Sequence, residues 1–99
     1  MAYKIPVLRV NLQYGASYDQ LQDIPGMKEV IMEQTIAGIK EAVKKKKVSI
    51  PLFEVAGSDY YIELKKDKFK SSLETVLEYY VKKEEYSVCI ECRDLINSL

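Results

Sequence analysis

The sequence predicts a small α+β domain, on three observations. MKEVIMEQTIAGIKEAVKKK repeats apolar residues at helical spacing, VSIPLFEV and YYIELK read as strands around AGSD, and a second helical period runs from Ser71, breaks at KKEEY and resumes toward Leu99. At 99 residues, 47% of them apolar, the chain is long enough for one core and too apolar to stay disordered. The expected organisation is a single domain over 1–99: an extended arm at 1–26, a helix at 27–47, a β-hairpin at 48–66 and an αα-hairpin at 67–99.

The arm opens with YKIPVLRVNLQY, where Pro6 opposes a helix and the β-branched and aromatic content suits an extended segment. Alternation places Leu8, Val10 and Leu12 on one side. GASYDQLQDIPG follows, rich in turn-forming Gly, Asp and Pro. In the helix after it, Ile31, Thr35, Ile39 and Ala42 with Met32, Ile36 and Val43 make one broad stripe. Gly38 weakens that helix unless a neighbouring element must come close to it. In the hairpin, Pro51 pushes the first strand toward a sheet edge, because proline cannot donate to a ladder.

For the next helix, Asp67 or Ser71 is the expected cap, and Ser71 with Glu74 has capping-box spacing. Phe69, Leu73, Val76, Leu77 and Tyr80 form its apolar stripe. The stripe stops near Val81 and restarts at Val88 and Cys89, which predicts two antiparallel helices.

Cys89 and Cys92 stand three apart, on one helix face with Val88, Leu95, Ile96 and Leu99. The chain has no His and no third Cys, so a zinc site lacks its usual four ligands. A redox pair belongs at a helix start, where the dipole lowers a thiol pKa, and this pair is mid-helix. Two small buried residues are therefore expected, with no metal and no cofactor.

Fifteen Lys and Arg balance fifteen Asp and Glu, so any pull on an anionic partner must come from local clustering. Residues 40–70 carry nine Lys against five acids. Lys44, Lys45, Lys46 and Lys47 end the first helix, while Lys66, Lys68 and Lys70 precede or open the next. Hairpin pairing brings both groups to one end, predicting a basic patch that would serve as the phosphate or nucleic-acid site of an accessory factor. The preferred reading is a solvated surface whose lysines complement the helix end and protect the sheet edge, with the nucleic-acid accessory factor as the alternative.

Catalytic signals are missing: no His for general base work, no glycine-rich phosphate loop and no nucleophile elbow. A non-catalytic protein is the expectation. No apolar run approaches the roughly 20 residues that cross a bilayer, and MAYKIPVLRV lacks a secretion signal, so the expected location is the cytoplasm.

The last quarter resembles a known family. Glu85 and Tyr86 stand as an acidic-aromatic pair, Cys89 and Ile90 occupy the following small pair, and Glu91 precedes Cys92, Arg93, Asp94 and the aliphatic Ile96. This is similar to the UVR motif, the tail of bacterial excision-repair subunits and of other bacterial interaction modules. The resemblance implies a helical hairpin that pairs with a second hairpin, in the same or another chain, through its apolar face. The expected function is thus a small interaction, assembly or regulatory protein of bacterial or phage type, binding another protein or a second copy of itself. Tyr79, Tyr86, Arg93, Leu95 and Leu99 are the expected partner-binding residues. Eight tyrosines without a tryptophan fit this reading, since a tyrosine ring buries area while its hydroxyl stays wet. Tyr14, Tyr18, Tyr60, Tyr61 and Tyr79 are those that the core stripes leave unexplained.

Overall fold

Residues 3–8, 26–57 and 61–99 are described by the structure, a computed structural model. Their elements run as strand β1 (Val7–Leu8), helix α1 (Lys28–Lys45), strands β2 (Ser49–Val55) and β3 (Tyr61–Lys65), a 3-10 turn (Lys66–Lys68), and helices α2 (Phe69–Lys82) and α3 (Tyr86–Asn97). This is an α+β domain with the hairpin and the terminal helix pair where the residues predict them. Val10, Leu12, Tyr14, Tyr18 and Tyr60 lie outside the described residues, as does most of the expected arm.

Helix α1 is the centre of the packing because its stripe is wide enough to serve two neighbours. Ile31, Ile39 and Ala42 join Ile50, Leu52, Phe53, Ile62, Leu64, Phe69 and Leu73 in a core shared with the sheet. Met32 and Ile36 join Val76, Tyr80, Cys89 and Cys92 in a second core shared with α2 and α3. Buried Thr35 stays satisfied by donating its hydroxyl hydrogen to the Ile31 carbonyl at 2.7 Å. Gly38 is buried, and a Cβ there would run into Leu52 Cδ2 and lie 3.1 Å from the Tyr3 hydroxyl. The glycine is what lets β2 approach α1 so closely.

The sheet order is β1-β2-β3, with β1 parallel and β3 antiparallel to β2. Pro51 therefore lies in the middle strand, and the edge position expected for that strand is corrected. Two features accommodate the proline. Strand β1 pairs only with Glu54 and Val55, so beside Pro51 that flank of β2 has no strand partner among the described residues. The ladder to β3 also breaks there: Pro51 faces Glu63 and Phe53 faces Ile62, leaving Leu52 as an extra residue. This bulge allows Leu52 and Phe53, consecutive in sequence, both to be fully buried. Tyr3 closes the open flank by donating to the Pro51 carbonyl at 2.6 Å, and it accepts from Gln34 Nε2 at 2.9 Å. Gln34 Nε2 also lies 3.0 Å from the carbonyls of Lys4 and Leu52, tying the N-terminal strand to α1 and β2.

The capping of α2 also differs from expectation. The helix begins at Phe69, with Lys68 as a cap residue that makes no side-chain hydrogen bond. Ser71 sits inside the first turn and donates to the Lys68 carbonyl at 3.2 Å, so neither the Ser71–Glu74 box nor an Asp67 cap forms. Phe69, 1% exposed, sets the start: burying its ring draws the chain into the helix two residues earlier than the serine.

Helices α1 and α2 end alike. Lys46 (φ 54°) and Glu84 (φ 60°) adopt the left-handed conformation, and the next amides, Lys47 and Glu85, donate to the carbonyls of Ala42 and Tyr80 at 2.8 and 3.0 Å. Both are Schellman stops with a charged residue where glycine is usual. The second stop reverses the chain so that α3 folds back on α2. Among the described residues no helix is long and apolar enough to cross a membrane.

Candidate protein-interaction groove and lysine cluster

Along α1, spacing of three and four sets Glu29, Glu33, Ala37 and Lys40 in a row that the two cores leave uncovered. Facing this row is the start of α3. A groove of about 600 Å³ lies between them, with Ile36, Tyr80, Tyr86 and Val88 among its lining and Glu29, Glu33, Glu84, Glu85 and Glu91 contributing carboxylates. Lys40 bridges to Glu91 across the two helices at 2.6 Å, and Lys83 pairs with Glu29 at 3.0 Å. Glu33, Glu84 and Glu85 make no ion pair among the described residues. Burial, with Glu33 and Glu29 adding negative potential, pushes the Tyr80 hydroxyl up to about 12. The Lys83 ammonium is held above its ordinary range chiefly by its hydrogen bond to Glu29.

Beyond Ala37 and Lys40 a second groove, about 790 Å³, continues along α1 between Tyr3 and Leu95, with Val43 and Lys44 at its far side. Burial pushes the Tyr3 hydroxyl up to about 12 against the opposing effect of the Gln34 hydrogen bond.

The expected partner-binding residues do not form one surface. Tyr86, 59% exposed, rims the first groove, and half-buried Leu95 lines the second. Tyr79 stands apart, edge-on to Tyr80 with ring centroids 5.0 Å apart, between the ammoniums of Lys28 and Lys83 at 5.4 and 5.2 Å. Its ring therefore has packing and cation–π partners within its own chain. Arg93 is exposed on α3, and Leu99 lies beside the lysine cluster, 45% exposed rather than on the buried cysteine face. Of the tyrosines left unexplained by the stripes, Tyr61 is 43% exposed on β3.

Three of the seven lysines, Lys46, Lys47 and Lys66, come together. The Lys66 amide donates to the Val48 carbonyl at 2.8 Å, and Lys46, Lys47 and Lys66 surround a hollow of about 370 Å³ with Phe69, Ser98 and Leu99. Lys44 instead faces the second groove, and Lys45 pairs with Glu41 at 2.9 Å, which lowers the Glu41 carboxyl pKa. Lys68 and Lys70 are exposed but do not line the hollow.

Cys89 and Cys92 are buried, with side chains among Met32, Ile36, Val76 and Tyr80. Burial, helped by the nearby Glu91 charge, pushes the Cys92 thiol up to about 11, so it carries its proton at neutral pH. Among the described residues, no group of three His, Cys, Asp or Glu could hold a metal ion.

Sequence reasoning missed the acidic groove and the Gln34 tie. The signal for the groove was there, in Glu29 and Glu33 one turn apart and the adjacent pair Glu84 and Glu85, but nothing local says that a turn and a helix start will face each other. Comparison with known proteins finds no matching family model, no matching curated protein and no matching solved structure.

Proposed function

We propose that this chain is a non-catalytic protein-interaction domain of the cytoplasm, a small assembly or regulatory protein that docks a partner where its terminal helical hairpin meets α1. One observation carries the reading. Tyr86 and Ile90, four residues apart on α3, are 59% and 58% exposed at the helix that walls the first groove, although the same helix buries both cysteines. A helix with one face in its own core and large apolar side chains on the other has area left for a second surface. The likeness of this segment to the UVR motif supports the same reading, since such hairpins pair with other hairpins. Tyr86 at the groove rim and Leu95 in the adjoining groove are the expected anchors, with Arg93 beside them on α3.

A photo-crosslinking residue in place of Ile90, in cells producing the chain, tests this. Discrete adducts at position 90, absent when the same residue replaces exposed Glu74, are expected. Identical adduct patterns at both positions, or none at either, would rule the reading out.

A second reading has its own support. Lys46, Lys47 and Lys66 converge on one hollow, which supports reading them as a cradle for phosphate in a nucleic-acid accessory factor. Anisotropy of a labelled oligonucleotide would then show binding that weakens steeply with salt.

A further inference from the structure

The chain carries equal numbers of positive and negative residues, but the fold leaves some of each sign without ion pairs among the described residues at opposite ends. The three helices of the described residues run between two poles. Helix α1 leads from Glu29 to Lys45, α2 returns from Phe69 to Lys82, and α3 leads back from Tyr86. An 18-residue helix such as α1 is about 27 Å long, close to the molecule's own dimensions of 36 × 30 × 26 Å. At one pole lies the groove, whose Glu33, Glu84 and Glu85 have no ion-pair partner among the described residues. Lys46, Lys47 and Lys66 gather at the other, and they too make no ion pair among those residues.

Helix stability accounts for only part of this arrangement. Lysines at the end of α1 suit its negative terminus. Lys66, Lys68 and Lys70 stand instead at the positive terminus of α2, whose first turn contains no acid, so they work against the helix they introduce. Beside them Val48 is 73% exposed, the most exposed large hydrophobic among the described residues. The basic pole thus sets a bare valine, at the corner where α1 turns into β2, next to ammoniums that have no ion pair among the described residues. The acidic pole offers the complement, a groove lined by Ile36, Tyr80, Tyr86 and Val88 together with carboxylates that have no ion pair among the described residues.

We propose that the corner formed by Lys46, Lys47 and Val48 docks into the Glu33, Glu84 and Glu85 groove of a second copy of this chain. The valine covers Tyr86 and Val88 while the ammoniums meet the carboxylates. This rests on the reading of the groove as a docking surface and names its occupant. A second copy is the occupant because each molecule presents both complementary halves, at opposite ends, on a chain with no net charge to keep copies apart. The contact joins unlike surfaces, so it is heterologous, and every assembly that does not close keeps one open groove and one open corner.

Sedimentation of the purified chain tests this. Between about 0.02 M and about 0.5 M salt the screening length falls from roughly 20 Å to roughly 4 Å. The average mass is expected to rise with concentration at low salt and return to that of the monomer at high salt. Two variants, Glu33→Gln with Glu85→Gln and Lys46→Gln with Lys47→Gln, should each remain monomeric while keeping the wild-type circular dichroism. Mixed together they should recover association but stop at a dimer, because only one intact corner and one intact groove remain per pair. A wild-type chain that is monomeric at every salt concentration, or associates independently of salt, overturns the proposal. So does association that is lost in the lysine variant but kept in the glutamate variant, since the lysines would then meet a different surface of the same chain. None of these results would remove discrete crosslinks at position 90, so docking of a different partner on α3 would still stand.

Discussion

The two sides of helix α1 are built to different standards. Toward the sheet it meets Ile50, Leu52, Phe53, Ile62 and Leu64, all at 3% exposure or less, and Gly38 removes even a methyl group so that Leu52 can press against the backbone. Toward the hairpin it meets Val76, Tyr80 and two cysteines, and the packing thins into a groove at Tyr86 and Val88. One side is closed by its own core, whereas the other keeps an open rim. Close packing of branched and aromatic side chains makes the sheet side intolerant of change in volume. Small thiols and a tyrosine give the hairpin side fewer constraints and an open rim.

The largest effect expected from breaking this comparison is at Phe53. Phe53→Ala should lower stability by about 3–5 kcal/mol, measured by urea denaturation, because it empties the centre of the sheet-side core. A loss no larger than that of an exposed substitution would mean that the sheet side is not the closed one. Gly38→Ala comes next. Helix propensity alone favours alanine by about 1 kcal/mol, yet the crowding by Leu52 should reverse the sign and cost about 1–3 kcal/mol. A stabilised variant would show that β2 can retreat from α1.

The smallest effect sharpens the hairpin side. Cys92 has its pKa raised from an ordinary value of 9.0 to about 11, so folding favours the protonated thiol. Below pH about 9 the thiol's contribution is complete, because both states hold the proton. As pH rises further the unfolded chain loses its proton first and binds fewer than the native one, so stability falls until the folded thiol titrates near 11. Urea midpoints measured at pH 8 and pH 10.5 should therefore drop less in Cys92→Ala than in the wild type, after allowance for lysine and tyrosine titration common to both. Equal drops would place the thiol in contact with water.

How much was legible differs element by element. The stripe of α1 and the break between α2 and α3 could be read because helical periodicity is a local property, carried by residues three and four apart. Burial of both cysteines followed from the same spacing. The central position of β2 could not be read, because Pro51 argues for an edge and only the short reach of β1 and the bulge at Leu52 make the middle position tolerable. The start of α2 was missed because a local signal, the Ser71 to Glu74 spacing, competed with a distant one, the place held in the core for Phe69. Meeting of Lys46 and Lys47 with Lys66 was legible from hairpin pairing. The convergence of Glu29 and Glu33 with Glu84 and Glu85 was not, since it depends on how α1 and the hairpin cross.

By itself the sequence determined which segments are helix and strand, that the thiols turn inward, and that positive charge collects at the hairpin's open end. Those outcomes depend on spacing along the chain, which backbone geometry converts directly into faces. Tertiary structure alone decided the order of the sheet, the starting point of α2 and the groove on α1. Each of these depends on volume and contact between residues far apart in sequence, where packing against a distant neighbour outweighs local preference.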